Sequence, residues 1–92
     1  MFPTLTEHAK YRAAQANLKE DQINIVLQFG SFKNKAHALF CFLAKRDLPD
    51  QLLHDDYFAK LAGTTLVMDS LGQEIITVYK NQRAAKKIRY KR

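Results

Sequence analysis

The sequence has a single cysteine, Cys41, and so lacks the pair that an internal disulfide requires. A reducing compartment, the cytoplasm, is therefore the expected location, with Cys41 as a small buried apolar residue. No spaced Cys/His cluster of the zinc-binding kind occurs. The adjacent residues His54–Asp56 do not converge on one ion without a distant fourth ligand, so they indicate a turn or helix cap. No metal and no cofactor are expected.

Long apolar runs are absent as well. The longest, from Ala38 to Ala44, has seven residues and predicts a buried strand, whereas a bilayer span needs roughly 18. Met1 to Thr4 have neither the basic nor the apolar region of a secretory signal. The 92 residues leave little room for a second core, so residues 1–92 are expected to form one domain.

Acidic residues are missing from one end of the chain. Between Lys80 and Arg92 seven side chains are basic and none is acidic, whereas the rest of the chain has eight basic and nine acidic groups. This basic C-terminal segment would attract a polyanion such as RNA through phosphate neutralisation and counterion release. The residues expected to bind nucleic acid are Lys80, Arg83, Lys86, Lys87 and Arg89.

Other interpretations of this segment remain open. Residues 81–92 are predicted to be a tail or a short basic helix, and a solvated terminus that aids solubility would have the same composition. An acidic protein partner, such as an antitoxin, would also suit it. Insertion into a membrane surface is disfavoured, because only Ile88 and Tyr90 are bulky and apolar.

Two helices are predicted before the first long strand. The first runs from about Glu7 to Ala16, with Thr6 as its N-cap. The second runs from about Glu20 to Phe29, where the apolar residues recur at helical spacing. Gly30 is expected to close it in the left-handed conformation of a C-terminal cap.

Strands are predicted in the remainder of the chain. Residues 36–45 alternate between two largely apolar sets, which indicates a central strand with His37 as an ordinary sheet residue and residues 31–35 as an edge strand. The signal over residues 46–63 is weak, with one or two helical turns expected near its end. The runs 64–69 and 73–80 predict a hairpin around Gly72.

The last strand has two possible faces. Ile76 and Val78 are expected to face the helices, with Thr77 and Tyr79 on the opposite surface, although a slip in register would reverse them. The whole order predicts an α+β fold, with two N-terminal helices packed on a three- to four-stranded antiparallel sheet.

These elements carry a family resemblance. Thr6-Glu7-His8-Ala9 with Arg12, then a helix ending in glycine and the strand Ile75–Lys80, resembles a small bacterial family with a T-x-H-A-x-x-R helix and an I-T-V-Y strand. That family, of unknown function, is similar to the RelE and BrnT toxins and more remotely to barnase and colicin ribonucleases. The resemblance implies a RelE-like fold and a metal-independent endoribonuclease that uses the RNA 2′-hydroxyl as nucleophile.

The resemblance also implies a catalytic site. It places His8, Arg12, Thr77 and Lys80 at positions that act on RNA, although the carboxylate base usual in barnase-like enzymes has no evident counterpart. Histidine can accept or deliver a proton near neutral pH, and arginine can hold a phosphate in two hydrogen bonds. Each residue also has an ordinary structural explanation, as a surface helix residue or a β-branched strand residue. The alternative function is a non-catalytic module that binds nucleic acid or a protein.

Overall fold

The computed structural model describes residues 3–80, which form five strands and four α-helices. A single 3₁₀ turn, Lys45–Asp47, lies between the third strand and the third helix. The elements, in chain order, are β1 (Thr4–Leu5), α1 (Glu7–Gln15), α2 (Glu20–Phe29), β2 (Ser31–Lys35), β3 (Ala38–Phe42), α3 (Asp50–Leu53), α4 (Asp56–Ala59), β4 (Thr64–Asp69) and β5 (Glu74–Lys80).

The five strands form one sheet in the order β1-β5-β4-β3-β2. Strands β2 to β5 are antiparallel neighbours, whereas β1 is parallel to β5. The α+β class is thus confirmed, but the predicted sheet of three or four antiparallel strands is wrong in number and in direction. The missing strand, β1, is two residues long, too short to show any alternation of apolar and polar residues.

Helix α1 begins where β1 leaves the sheet. The Thr6 hydroxyl accepts a hydrogen bond from the Ala9 N–H at 3.0 Å, as predicted for the N-cap, and also donates one to the Ile76 carbonyl at 3.0 Å. The same side chain thus caps the helix and fastens it to the last strand. Ala9 and Ala13, one turn apart, are buried in the core. Their small side chains let the helix pack closely on β5.

Replacing Thr6 tests this double role. Thr6→Ala removes the cap and leaves the Ile76 carbonyl without its donor, so the free energy of unfolding should fall by about 1–2 kcal/mol. Urea denaturation followed by circular dichroism measures the change. Thr6→Ser keeps the hydroxyl and should stay near the wild-type value; an equal loss in both variants would contradict the hydrogen-bonding explanation.

Helix α2 ends at Gly30, but without the expected left-handed cap. Gly30 has φ −71° and ψ 165°, an extended conformation that any residue can adopt. Its importance lies in close packing, because a Cβ atom there would lie 2.6 Å from the Val26 carbonyl oxygen and 2.7 Å from Cys41 Sγ. The left-handed residue that ends a helix is instead Asn17, with φ 57°, after α1.

The turn between β2 and β3 corrects another expectation. Ala36 and His37 have φ 52° and 65°, and Lys35 pairs with Ala38 across them. Two left-handed residues between paired strands are typical of a type I′ hairpin, which usually has Asn-Gly at these positions. His37 is therefore an exposed turn residue, and β3 begins only at Ala38. The alternation of apolar residues continues through the turn, so the sequence pattern does not indicate that a turn is there.

A β-bulge in β5 reverses which of its two isoleucines faces the core. The pairing of β4 with β5 shifts between Val67 and Met68, so that Thr77 is opposite Val67 but Ile75 is opposite Met68. One extra residue on β5, Ile76, is accommodated there. Ile75 is consequently fully buried and Ile76 is 39 % exposed, the reverse of the prediction from strict alternation.

The core lies between the helices and one face of the sheet. Its buried side chains include Leu66 and Met68 from β4 and Val78 from β5. The weakly patterned segment 46–63 contributes buried Leu61 and half-buried Phe58, as expected for docked helical turns. None of the helices in the described part of the chain is long and apolar enough to cross a membrane.

Candidate nucleic-acid interface

The sheet face opposite the core is called here the open face, because the buried apolar side chains of α1 and α2 all belong to the core on the other side. Directly paired residues on neighbouring strands point to the same side of a sheet. The register therefore orders the open face into rows. The first row is Ser31, Phe42, Thr65 and Tyr79, and the second is Lys33, Phe40, Val67 and Thr77.

These rows place aromatic rings in the middle of the open face and lysines at its border. Phe40, Phe42 and Tyr79 are all half-buried, and each presents part of its ring to solvent. Lys33 is directly opposite Phe40, and Lys35 begins the next row beside Ala38. Both lysines are exposed, and neither has an ion-pair partner within residues 3–80.

A groove of about 370 Å³ runs along this face. It is lined by Ser31, Lys33, Lys35, Ala36, Phe40, Phe42, Thr65 and Tyr79. The lining combines flat apolar surfaces, hydroxyl groups and two cations. This combination suits a ligand with planar rings and negative charge better than it suits a purely apolar one.

His8 and Arg12 lie on α1, on the core side of the sheet. The helical spacing puts them on one stripe, about 100° around the helix from the buried stripe of Ala9 and Ala13. His8 is exposed and Arg12 half-buried, and neither side chain has a hydrogen-bond or ion-pair partner among residues 3–80. The two predicted residues are thus neighbours, as the spacing required.

Thr77 is separated from this stripe. It lies in the second row of the open face, whereas α1 packs its alanines on the opposite side of the sheet. No hydrogen bond or ion pair in the described part of the chain joins Thr77 to His8 or to Arg12. The structure therefore brings together two of the three predicted catalytic residues and places the third with Tyr79 and Phe40.

Lys80 ends β5, opposite Thr64 in β4. Burial, and secondly the positive charge of Lys60, lower the pKa of Lys80. Lys60 itself lies over the Tyr57 ring, with Nζ 5.9 Å from the ring centroid. The point at which the basic C-terminal segment leaves the sheet therefore already holds two interacting cations. The other predicted binding residues, Arg83, Lys86, Lys87 and Arg89, lie outside the described residues.

The remaining candidates are structural within the described residues. Asp55 caps α4 by accepting a hydrogen bond from the Tyr57 N–H at 3.0 Å, as expected for a helix cap. No group of three His, Cys, Asp or Glu side chains in residues 3–80 is arranged to hold a metal ion. Burial, followed by the negative charge of Asp47, raises the pKa of the Cys41 thiol to about 11. Cys41 also donates to the Val26 carbonyl at 3.3 Å, which fits a buried packing residue.

The open face was missed as a site by reasoning from sequence. Phe40 and Phe42 share one side of β3, but the other side is also apolar, so the sequence pattern does not distinguish them from core residues. The available signal is in β2, where Ser31, Lys33 and Lys35 are polar at every second position. That pattern becomes informative only when β2 is known to pair with β3.

Comparison of the chain with protein-family models, with curated proteins and with solved structures found no match. The resemblance to RelE-type ribonucleases therefore stays a prediction.

Proposed function

We propose that this protein binds RNA, and that the basic C-terminal segment supplies most of the phosphate contacts. The observation that best supports this proposal is the position at which the segment joins the fold, at the end of β5. Six basic side chains, with no acidic one among them, follow Lys80, which ends β5 and is itself basic. Like charges held together at a strand end repel each other, and a polyanion between them relieves the repulsion.

The distribution of charge supports a local interface. The chain has a formal net charge of +6, yet outside the basic C-terminal segment acidic groups slightly outnumber basic ones. Neither Lys80, where that segment begins, nor Lys60, the basic residue nearest before it in the chain, has a carboxylate ion-pair partner among residues 3–80. An anionic ligand would thus be drawn to one region of the molecule.

Salt dependence tests the proposal. The dissociation constant of the full chain for a fluorescently labelled 12-nucleotide RNA should rise steeply between 50 and 200 mM salt. A logarithmic plot should have a slope of about 0.7 per phosphate neutralised. Fluorescence anisotropy measures the constant. Absence of binding at 50 mM salt, or a flat plot, would exclude phosphate-dominated RNA binding.

A second candidate function is metal-independent RNA cleavage of the RelE or barnase type. The observation that favours it is the pair His8 and Arg12, one helical turn apart and without partners in the described chain. His8 would take the proton from a 2′-hydroxyl or deliver one to the leaving 5′-oxygen. Arg12, with Lys80 or Arg83, would hold the phosphate as the 2′-oxygen attacks phosphorus and the bond to the 5′-oxygen breaks. The setting would be a toxin, with an acidic antitoxin as its inhibitor.

Cleavage is tested with a mixed RNA substrate in EDTA. The expected products carry a 2′,3′-cyclic phosphate and a 5′-hydroxyl, and His8→Ala should abolish them while circular dichroism shows an unchanged fold. His54→Ala removes another exposed histidine and should leave the rate unaltered. Cleavage that survives His8→Ala would remove His8 from the mechanism, and RNA binding without any cleavage would favour the non-catalytic function.

A further inference from the structure

We propose that the open face binds an unpaired RNA strand, with bases stacked on Phe40, Phe42 and Tyr79 and phosphates held by Lys33 and Lys35. This inference rests on the proposed RNA binding and specifies the form of RNA that is recognised.

The spacing of the aromatic rings favours an unpaired strand. Phe40 and Phe42 are two residues apart on one strand, so their Cα atoms are separated by about 7 Å. Successive bases in a duplex are only about 3.4 Å apart along each strand. Two bases that rest on these two rings must therefore separate from one another. An unpaired strand permits this separation, whereas a duplex would have to unstack.

The three rings are half-buried and do not stack on one another. Within residues 3–80 the only pair of stacked or edge-on rings is Tyr57 with Phe58, so no ring contact joins the three aromatic residues of the open face. Tyr79 lies two strands from Phe42, with Thr65 between them. At about 4.8 Å per strand the two side chains are roughly 10 Å apart. The small Thr65 side chain, 6 % exposed, lines the groove between them.

The positive charges lie beside the aromatic rings. Lys33 is directly across from Phe40, so their Cβ atoms are about 5 Å apart, and the Lys33 side chain is exposed. A nucleotide whose base lies on Phe40 would have its phosphate within reach of Lys33, and the next phosphate within reach of Lys35. The one acidic side chain in the rows, Asp69, is turned to the β4–β5 loop. There it accepts hydrogen bonds from the Gln73 and Glu74 N–H groups at 2.7 and 3.0 Å.

An acidic peptide is the chief competing ligand, but it would account for fewer features of the open face. Carboxylates would satisfy the two lysines, but a peptide need not place planar rings over three aromatic side chains. Base stacking uses all three rings and tolerates any base, since every base has a π-face. The exposed hydroxyl of Ser31 in the first row could contact phosphate or sugar without selecting a sequence.

The test compares single-stranded with double-stranded RNA. It also compares substitutions of phenylalanines on the open face with substitution of a phenylalanine on the core side. Fluorescence anisotropy with the full chain measures binding of a labelled 12-nucleotide strand, alone and annealed to its complement, at one salt concentration. Phe40→Leu and Phe42→Leu keep apolar volume but remove the ring. Phe32→Leu is the matched control, because Phe32 is 50 % exposed in the neighbouring strand but pairs with Cys41 and so points to the core side.

The unpaired strand should bind at least about ten times more tightly than the duplex. Each open-face variant should weaken binding of the unpaired strand by roughly 5- to 100-fold. Phe32→Leu should have no effect. Thermal unfolding followed by circular dichroism shows whether the variants are folded, and Lys33→Gln with Lys35→Gln gives a second test on side chains that are not packed.

Three results would overturn the inference. Equal affinity for duplex and single strand, with unchanged binding by the open-face variants, would show that only the basic segment binds, and the proposed RNA binding would stand. Preference for the unpaired strand that Phe40→Leu, Phe42→Leu and the Lys33/Lys35 variants all leave unchanged would place its recognition outside the open face. Loss of all RNA binding by the wild type at 50 mM salt would remove both the inference and the proposed function.

Discussion

Gly30→Ala should lower the free energy of unfolding by about 3 kcal/mol, because the added methyl group has no room. The added Cβ would lie 2.6 Å from the Val26 carbonyl oxygen and 2.7 Å from Cys41 Sγ, well inside van der Waals contact. The Val26 oxygen is a backbone atom that already accepts the Gly30 N–H at 2.8 Å. Relief would require α2 and β3 to move apart.

Urea denaturation measures this effect, with Gly72→Ala as its comparison. At Gly72 the added Cβ would meet only a Leu39 methyl group at 3.2 Å, which can move, and the cost comes mainly from φ +71°. That variant should lose about 1 kcal/mol. If Gly30→Ala were as mild as Gly72→Ala, the contact between the end of α2 and β3 would be looser than described.

Removing residues 83–92 should weaken RNA binding at 50 mM salt by at least about 100-fold. The deletion takes away six of the seven basic residues in the basic C-terminal segment and leaves Lys80 in β5. The slope of the salt dependence should also fall by about 0.7 for every phosphate that the shortened chain no longer neutralises. Affinity and slope must therefore fall together, because both come from released counterions.

Two variants separate charge from chain length. Glutamine at all six deleted basic positions keeps the length and should reproduce the loss of affinity. Glutamine at Lys10 and Lys19 removes two charges from a different groove, between α1 and the start of α2, and should change binding little. A deletion that lowers affinity without lowering the slope would indicate that residues 83–92 contribute apolar or base contacts.

Local signals gave correct predictions for several elements. The Thr6 cap and the apolar period set the bounds of α1 and α2 to within one residue. Gly72 adopts the left-handed conformation expected for the hairpin. In each case the residues that determine the structure lie within a few positions of each other, so the local sequence pattern is enough to predict it.

The errors came from contacts between distant parts of the chain. β1 exists because Thr4 and Leu5 pair with β5, some seventy residues away, and the Ile76 bulge depends on the register of two strands. The candidate site shows the same difference between short-range and long-range information. The pairing of His8 with Arg12 followed from helical spacing, whereas the rows that join Lys33 to Phe40 and Thr77 require the strand order.

The hydrogen bond from Thr6 to Ile76 also has a consequence for the order in which the protein folds. It joins residues 70 positions apart, and β1 and α1 both rest on β5, the last strand of the described chain. The first helix therefore lacks this packing partner until the chain has been synthesised as far as β5. Interactions of such long range slow folding, because the chain loses loop entropy before it gains them. During synthesis the sheet edge at β4 should stay unpaired and Ala9 and Ala13 exposed until β5 emerges.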